Sequence, residues 1–367
     1  MNQTTPSAPF VFRALAILLL VGLILACLMF FDTLLKPIAI GIVIWYLIRS
    51  MNLQISKIQI GEKKLPRWLR IIISIVVINI ILFGTYQLMM VNVNALLKNY
   101  PVYEANLVQF LKNVGEVLNL PDLENTLETR IGAIDIPGLI RNIVTSVTAI
   151  IGDSLIILIY VIFLLLEESS FQKKIDIIFS NKNGKNVRQI IRQINVSTDR
   201  YLRLKTYVSL LTGAISYVIL LIAGVDFAFL WAFLIFLLNY IPYIGSFIAT
   251  LLPSIFAILQ FGSFWAGFWV FVFVETVQLV VGNYIEPKWM GKSLNLSPFV
   301  VVLALSIWGY IWGIFGMLLS VPIMSILLIV FAQFPSTRSF AILLTEKGDI
   351  SDVIIPDKTD DPESVKT

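Results

Sequence analysis

Stretches of about twenty apolar residues recur along nearly the whole chain, and this recurrence restricts the fold more than any other feature. Hydrocarbon offers no water to backbone N–H and C=O groups, so a chain dissolved in it must form helices or a closed barrel. Long uninterrupted runs, rather than segments of about ten alternating residues, select helices. Composition agrees: 58% of the 367 residues are hydrophobic and 14% are charged, whereas a soluble domain carries about 25% charge. The expected fold is an all-α polytopic bundle of about six full spans plus two broken helical segments, or about eight spans if each broken segment counts once.

Composition also excludes chemistry. The chain has one cysteine, Cys27, and no histidine. Internal disulfides, the usual zinc sites, Ser-His-Asp hydrolysis and imidazole proton relays are therefore absent, and proton handling falls to carboxylates. No phosphate loop of the Walker type is present. Neither a clustered acid pair nor a basic tract stands in a loop, which disfavours a membrane enzyme and a nucleic-acid partner. No cofactor is expected. Arg13 followed by an apolar run ending ILAC at Cys27 faintly resembles a cleaved leader, but another apolar segment follows at once, so a retained first span is expected.

Charge fixes an expected topology. Residues 1–97 hold spans at about 12–31, 37–48 and 69–93, and the loop after the second span carries Arg49, Lys57, Lys63, Lys64, Arg67 and Arg70 against Glu62. Cytoplasmic loops are enriched in Lys and Arg, so this loop and the N-terminus are expected in the cytoplasm. Within the loop QISKIQI alternates briefly, as a strand would. Residues 98–140 turn acidic and are expected outside; Leu107, Leu111, Val114 and Leu118 recur there at amphipathic-helix spacing. A fourth span at 141–167 carries Asp153 and returns inside. A basic helical segment at 168–205 follows, its Val187, Ile190, Ile191 and Ile194 forming one apolar face. Residues 206–334 make a C-terminal membrane block, and 335–367 a polar cytoplasmic tail ending in a disordered DDPES stretch.

Two segments of that block are broken, at 227–261 and 297–332. The apolar run 227–238 is too short to cross a core of about 30 Å, and NYIPYIG follows at 239–245. Proline and glycine cost a helix interior about 3 and about 1 kcal/mol, so Pro242 and Gly245 mark a real interruption. The second segment carries WGYIWGIFG at 308–316 and Pro322. Tyr240–Leu259 and Tyr310–Ile329 resemble each other: an aromatic start, glycine, then a proline about a dozen residues on. An intact span at 264–281 separates the two. The pattern suits two re-entrant hairpins of opposite orientation or two pairs of full crossings, and charge counting does not separate these. Paired interruptions of this kind point to a carrier's binding site.

NYIPYIG (239–245), IEPKWMGKSLNLSPFVVVLAL (285–305) and WGIFGMLLSVP (312–322) resemble the signature of the autoinducer-2 exporter family of bacterial permeases. The resemblance covers most of the chain, and its sharp motifs lie between about 200 and 325. It implies an oligomeric carrier in the bacterial inner membrane. Family members are described as exporters of the quorum signal, as sodium (lithium)/proton antiporters, or as permeases without an assigned cargo. One departure stands out: many members carry Gly-Gln after the Tyr-Leu of the fifth span, where this chain reads YLRLKTYVSLLTG (201–213).

Several residues are candidates for the transport path. Glu275 lies near the middle of the intact span, where a charge costs about 2.5–3.5 kcal/mol on insertion scales; it is a coupling-ion or proton site, or else a protonated acid bonded to a neighbouring helix. Gln278 falls about one turn further on. Asn239, Tyr240 and Asn283 flank the same region. Pro242, Gly245, Gly309, Gly313, Gly316 and Pro322 break or hinge the helices, and Glu286 and Lys288 stand at the inner mouth as a gate or as a mutual pair. Asp153 is a further intramembrane acid. Trp45, Trp68, Trp289 and Trp312 suit interfacial belts. The function expected is export of a small polar solute or signal such as autoinducer-2. Cation/proton antiport through Glu275, with H⁺ or Na⁺ coupling, is one alternative, and a channel or non-transporting scaffold is another. The partners expected are lipid, a small solute or ion, and further copies of the chain.

Overall fold

A computed structural model describes residues 8–55, 59–60, 63–64, 66–117, 138, 154–180, 184–290, 295–351 and 353–354. Among these the chain is helical almost throughout. The helices are α1 (Ala8–Phe30), α2 (Asp32–Ile55), α3 (Arg67–Val117), α4 (Ser154–Ile178), α5 (Gly184–Ile222), α6 (Ala228–Leu238), α7 (Ile244–Phe261) and α8 (Phe264–Val280). A π-helical turn (Val281–Ile285) then runs straight into α9 (Glu286–Met290), and α10 (Pro298–Trp312), α11 (Ile314–Gln333) and α12 (Arg338–Leu344) complete the set. The brief alternation before α3 forms a minimal antiparallel rung, Gln59–Ile60 against Lys63–Lys64. Asp153 lies outside the described residues, as do Leu118 and the DDPES end.

Six described helices are long and apolar enough to cross a membrane: Asp32–Asn52, Trp68–Asn113, Asn186–Ile222, Ile244–Phe261, Phe264–Met290 and Ile314–Gln333. The chain is therefore a polytopic helical bundle. Its outward surface is what lipid requires, with Leu18, Ile80, Phe83, Leu210 and Phe299 among many large exposed apolar side chains. Two helices continue past the expected ends of their spans. α3 runs on through Pro101 to Val117, so the amphipathic stretch after residue 98 begins as a continuation of the third span. α5 is a single helix of 39 residues, about 58 Å long, and merges the basic segment with the fifth span.

Both broken segments are hairpins, each with a short first leg and a long second leg. In the first, α6 has 11 residues and α7 has 18; in the second, α10 has 15 and α11 has 20. At about 1.5 Å per residue only the second leg of each is long enough to cross by itself. The base of the first hairpin is tied shut: Gln260 Nε2 donates to the Gly224 carbonyl at 2.9 Å, and the Asp226 N–H donates to Gln260 Oε1 at 2.8 Å. Both legs thus open on one side, and NYIPYIG is a hairpin tip rather than a kink in a crossing helix.

The base of the second hairpin lies at the other end of α5. The Ser297 N–H donates to the Leu344 carbonyl at 2.9 Å, while Gln333 Nε2 and Gln193 Nε2 both donate to the Val353 carbonyl, at 2.7 and 3.2 Å. Gln193 stands near the start of α5, whereas Gly224 follows its end. The polar C-terminal segment is therefore structured over part of its length: Ala341, Ile350 and Val353 are buried in the same cluster as Leu328, Ile329 and Ala332.

Glycine makes both tips feasible. A Cβ on Gly245 would overlap the Leu238 carbonyl oxygen, and one on Gly316 would overlap the Trp308 carbonyl oxygen. Each glycine stands in the first turn of the long leg and lets it seat on the last turn of the short leg. Gly313 joins α10 to α11 at φ 65 and ψ −143, a region open to glycine and costly for other residues. Further along the long legs, Pro253 and Pro322 are buried. Hydroxyls gather around these prolines: Ser254 Oγ donates to the Thr250 carbonyl at 2.7 Å and Ser320 Oγ to the Met317 carbonyl at 2.7 Å.

Gly245→Ala and Gly316→Ala are each expected to destabilise the purified protein by about 1–3 kcal/mol or more, since backbone cannot yield as a flexible side chain does. Gly84→Ala, where a Cβ meets nothing within 4 Å, should leave the melting temperature unchanged or slightly raised. Thermal unfolding in detergent, followed by intrinsic fluorescence, compares the three.

Candidate functional site

α5 is the element against which the other parts of the membrane block pack. One of its faces carries Asn195, Thr198, Lys205, Ser209, Thr212 and Ser216, spaced by three, four or seven residues, so they form one stripe. Of these, Thr198, Lys205, Ser209, Thr212 and Ser216 are buried. α6 packs closely on the same helix, since a Cβ on Gly213 would lie 3.1 Å from both the Ala232 carbonyl oxygen and Phe236 Cβ.

The tip of the first hairpin rests on this stripe. Asn239 is 5% exposed, and its Nδ2 donates to Ser209 Oγ at 3.1 Å. Tyr240 donates its hydroxyl to Thr206 Oγ1 at 2.8 Å, and Thr206 donates in turn to the Leu202 carbonyl at 2.6 Å. Beyond them the chain reverses sharply. Tyr243 adopts φ 61 and ψ −66, and the Ile244 N–H reaches back to the Pro242 carbonyl at 2.7 Å. That is a γ-turn of the rare positive-φ kind, a strained conformation for a residue with a Cβ. Strain of this sort concentrates where function fixes the backbone. Pro242 supplies the acceptor, and Gly245 gives the room for α7 to start.

Beside the tip, α8 passes into α9 through the π-helical turn, where the Glu286 N–H bonds the Val281 carbonyl. π-turns within α-helices occur frequently at functional sites. Glu286 accepts from Lys205 Nζ at 2.6 Å, with the lysine side chain 5% and the glutamate side chain 22% exposed. The partner of Glu286 is thus Lys205 of α5; Lys288, the expected partner, is exposed. Gln278 is buried and its Nε2 lies 3.5 Å from the Ser246 carbonyl, just past the tip. Glu275, about one turn earlier, is half-buried, and its Oε2 is fully buried without a hydrogen-bond partner. Asn283 is exposed on the π-turn.

The structure thus assembles Asn239, Tyr240, Pro242, Gly245, Gln278 and Glu286 around α5, with Glu275 one turn away, and leaves Asn283 and Lys288 on the surface. Gly309, Gly313, Gly316 and Pro322 belong to the second hairpin, whose tip is held differently. There Trp312 is buried and its Nε1 donates to the Leu28 carbonyl of α1 at 3.1 Å, so this tryptophan anchors a tip rather than an interface. Trp68 and Trp289 are exposed as belt residues would be, and Trp45 lies under the Arg49 guanidinium, 5.6 Å from ring centre to carbon. Sequence reasoning missed Lys205, Thr206, Ser209, Thr212 and Ser216. The signal was present, because polar residues repeating on one face of an apolar helix mark a buried stripe. Among the described residues no group of three or more Cys, Asp or Glu could hold a metal ion.

The two hairpins have similar construction and bases at opposite ends of one helix. The tip of the first falls where two cores meet, since Leu238 packs on both and Ile241 belongs to the second. Hydroxyl, amide and charged groups converge there inside an apolar bundle, an arrangement able to bind a small polar solute or ion away from lipid.

Comparison with known proteins gives the same direction. The sequence profile described as "AI-2E family transporter" matches residues 15–336. A Haemophilus influenzae protein named only as a candidate transport protein is 36% identical over 300 residues, covering 79% of this chain and 84% of that one. The AI-2 transport protein TqsA of Escherichia coli K12 is 32% identical over 288 residues, covering 77% of this chain and 82% of TqsA. YhhT of the same organism, also named as a candidate transport protein, is 30% identical over 329 residues, covering 89% of this chain and 88% of YhhT. With a profile match over most of its length and relatives above 30% identity across more than two thirds of it, the chain belongs to the AI-2E family of membrane transporters.

Proposed function

We propose that the protein is a secondary carrier of the bacterial inner membrane that exports a small polar solute, autoinducer-2 being the first candidate. The observation that carries this reading is the pair of hairpins with bases at opposite ends of α5, the first with its tip on a buried polar stripe. A solute at that tip exchanges hydration for the amide of Asn239 and the hydroxyls of Thr206, Ser209 and Tyr240. Movement of the hairpins relative to α5 would open the site to either side in turn. The name of TqsA supports the choice of autoinducer-2 as the first solute to try. The departure from the Gly-Gln pattern within YLRLKTYVSLLTG (201–213) is the reason to test a panel around it.

A second reading, cation/proton antiport, is favoured by one observation. Glu275 Oε2 is buried with no hydrogen-bond partner, and a buried carboxylate oxygen is satisfied by a proton or a cation. The same acid serves the first reading as a coupling site. In both, the N- and C-termini and the base of the second hairpin face the cytoplasm, and the base of the first hairpin faces outward.

Proteoliposomes loaded with autoinducer-2 and related hydroxylated solutes, under imposed proton and sodium gradients, separate the two readings. Solute-dependent, saturable flux supports the exporter, and gradient-driven cation exchange without solute supports the antiporter. Glu275→Gln is expected to abolish gradient-driven flux in either case. A variant with full activity and unchanged pH dependence refutes the role of Glu275. Sidedness is checked in a Cys27→Ser background: Ser263→Cys, between α7 and α8, should react with an impermeant maleimide in intact cells, and Ser336→Cys only after permeabilisation.

A further inference from the structure

The apolar face that the sequence places on the first half of α5 has no part in the site at the first tip. Two of its members, Ile190 and Ile194, pack on the second core, as does Ile354; Ile350 and Val353 of the same C-terminal segment are buried within that core. The segment reaches α5 by a defined route. After α11 the chain turns back at Thr337, whose Oγ1 donates to the Phe331 carbonyl at 2.9 Å, and α12 follows. Thr345 then pairs with Leu296 in an antiparallel bridge, and Asn295 Nδ2 donates to the Asp349 carbonyl at 2.5 Å. The segment thus crosses the base of the second hairpin and ends on α5.

The end of the segment joins two bodies through one atom. The Val353 carbonyl accepts from Gln333 Nε2, at the end of α11, at 2.7 Å and from Gln193 Nε2, on α5, at 3.2 Å. A carbonyl oxygen has two lone pairs and can hold both donors. The Gln193 amide is otherwise poorly served, since its Oε1 is buried with no hydrogen-bond partner among the described residues. An unsatisfied buried oxygen costs stability, so a glutamine here is a poor choice for stability and a suitable one for holding α5 to the second hairpin. The junction also lies between the first tip and this end of the bundle. Ile241 of NYIPYIG, Tyr201 and Met290 belong to the same core as Ile350 and Val353, and Gln193 stands about 18 Å along α5 from Lys205. A passage from Asn239 to this end has to part that core, and the C-terminal segment is a component of it.

We propose that the chain from Arg338 to Ile354 is a strap that holds the cytoplasmic side of the bundle shut. The Val353 carbonyl is its catch, and release of Gln193 precedes opening of the first tip to the cytoplasm. A strap of this kind sets the balance between a closed and an open form of one chain. The inference rests on the carrier reading and on its orientation, but opening is measurable without transport.

In a Cys27→Ser background, Ile241→Cys places a thiol in the core at the first tip. Everted membrane vesicles present the cytoplasmic face to an impermeant maleimide, and the rate of labelling reports opening. Adding Gln193→Leu should raise that rate about two- to tenfold, the shift that one net hydrogen bond gives a two-state equilibrium. The melting temperature should not change, because Gln333 still satisfies the carbonyl. Ending the chain at Gly348, which removes Ile350 and Val353, should raise the rate at least as far. Conversely, Gln193→Cys with Val353→Cys, joined by a short bis-thiosulfonate linker, should stop solute flux in proteoliposomes, and reductant should restore it. Labelling unchanged in both released forms overturns the proposal, as does a linked protein that carries solute as fast as the reduced one. A Gln193→Leu protein that melts earlier and labels at the original rate assigns the bond to stability and overturns it too. Faster labelling of the released forms, with no flux of any solute before or after linking, would instead sink the carrier reading and leave the strap standing.

Discussion

Every break in a helix surrounded by lipid frees backbone groups that only protein can satisfy, and the placement of α5 follows from that requirement. The first hairpin reverses through a γ-turn at Pro242–Ile244, closed by a 2.7 Å bond, and its neighbouring side chains find partners on one face of α5. A hydroxyl or amide facing hydrocarbon without a partner costs several kcal/mol, so Ser209 and Thr206 are as necessary to the turn as Asn239 and Tyr240 are. Close approach completes the arrangement: Gly213 admits α6, and Gly245 admits the start of α7. Small residues do in lipid what large apolar ones do in water, because packing rather than exclusion of water holds the helices together.

The same logic sorts the charges. Asp32 with Lys36 and Asp199 with Arg203 are partly exposed neighbours four residues apart on one helix, and pairs of that kind contribute little to stability. Lys205 and Glu286 come from different helices, and the lysine side chain, 5% exposed, is far more enclosed than any of these four. Removing either would strand the other charge, which is strongly destabilising, although the intact pair gives little net stability. The consequence is a bond that is hard to delete even though it adds little net stability. Glu275 completes a line of acids along the continuous run from Phe264 to Met290, one beside the tip and one deeper in the apolar bundle.

Much of this was legible in the sequence because the breaks are punctuated by residues with no other use in a buried helix. Pro242, Gly245, Gly313 and Gly316 each stand where the chain turns or where two legs touch, whereas Pro322, read as a break, lies inside the continuous helix α11; apolar length alone shows that residues 227–238 cannot cross. The α5 stripe was hidden by the way charge is read. Lys and Arg between 168 and 205 look like a cytoplasmic segment, and ending that segment at Lys205 counts the lysine as a loop charge. In three dimensions it is the middle of a 39-residue helix, packed on residues 81 positions away. Sequence spacing cannot show that partner. The C-terminal segment was obscured similarly: its polar composition conceals the few apolar residues, Ala341, Ile350 and Val353, that seat it on the second core.

The two hairpins are alike in construction and unlike in what their tips touch. In each, a short first leg meets a long second leg through a glycine pressed on a carbonyl, with a proline further along. The first tip abuts hydroxyls, an amide and, beside them, the Lys205–Glu286 pair. The second abuts α1 through the Trp312 indole, and the described contacts of that tip bring it no charged group. A pair of equivalent hairpins carrying equal sites would be expected to move as equals. Here the polar groups are concentrated at one tip, and the other is tied to a helix whose surface is largely exposed and apolar. The physical division that follows is between a hairpin whose tip gathers polar groups against α5 and a hairpin whose tip is tied to α1.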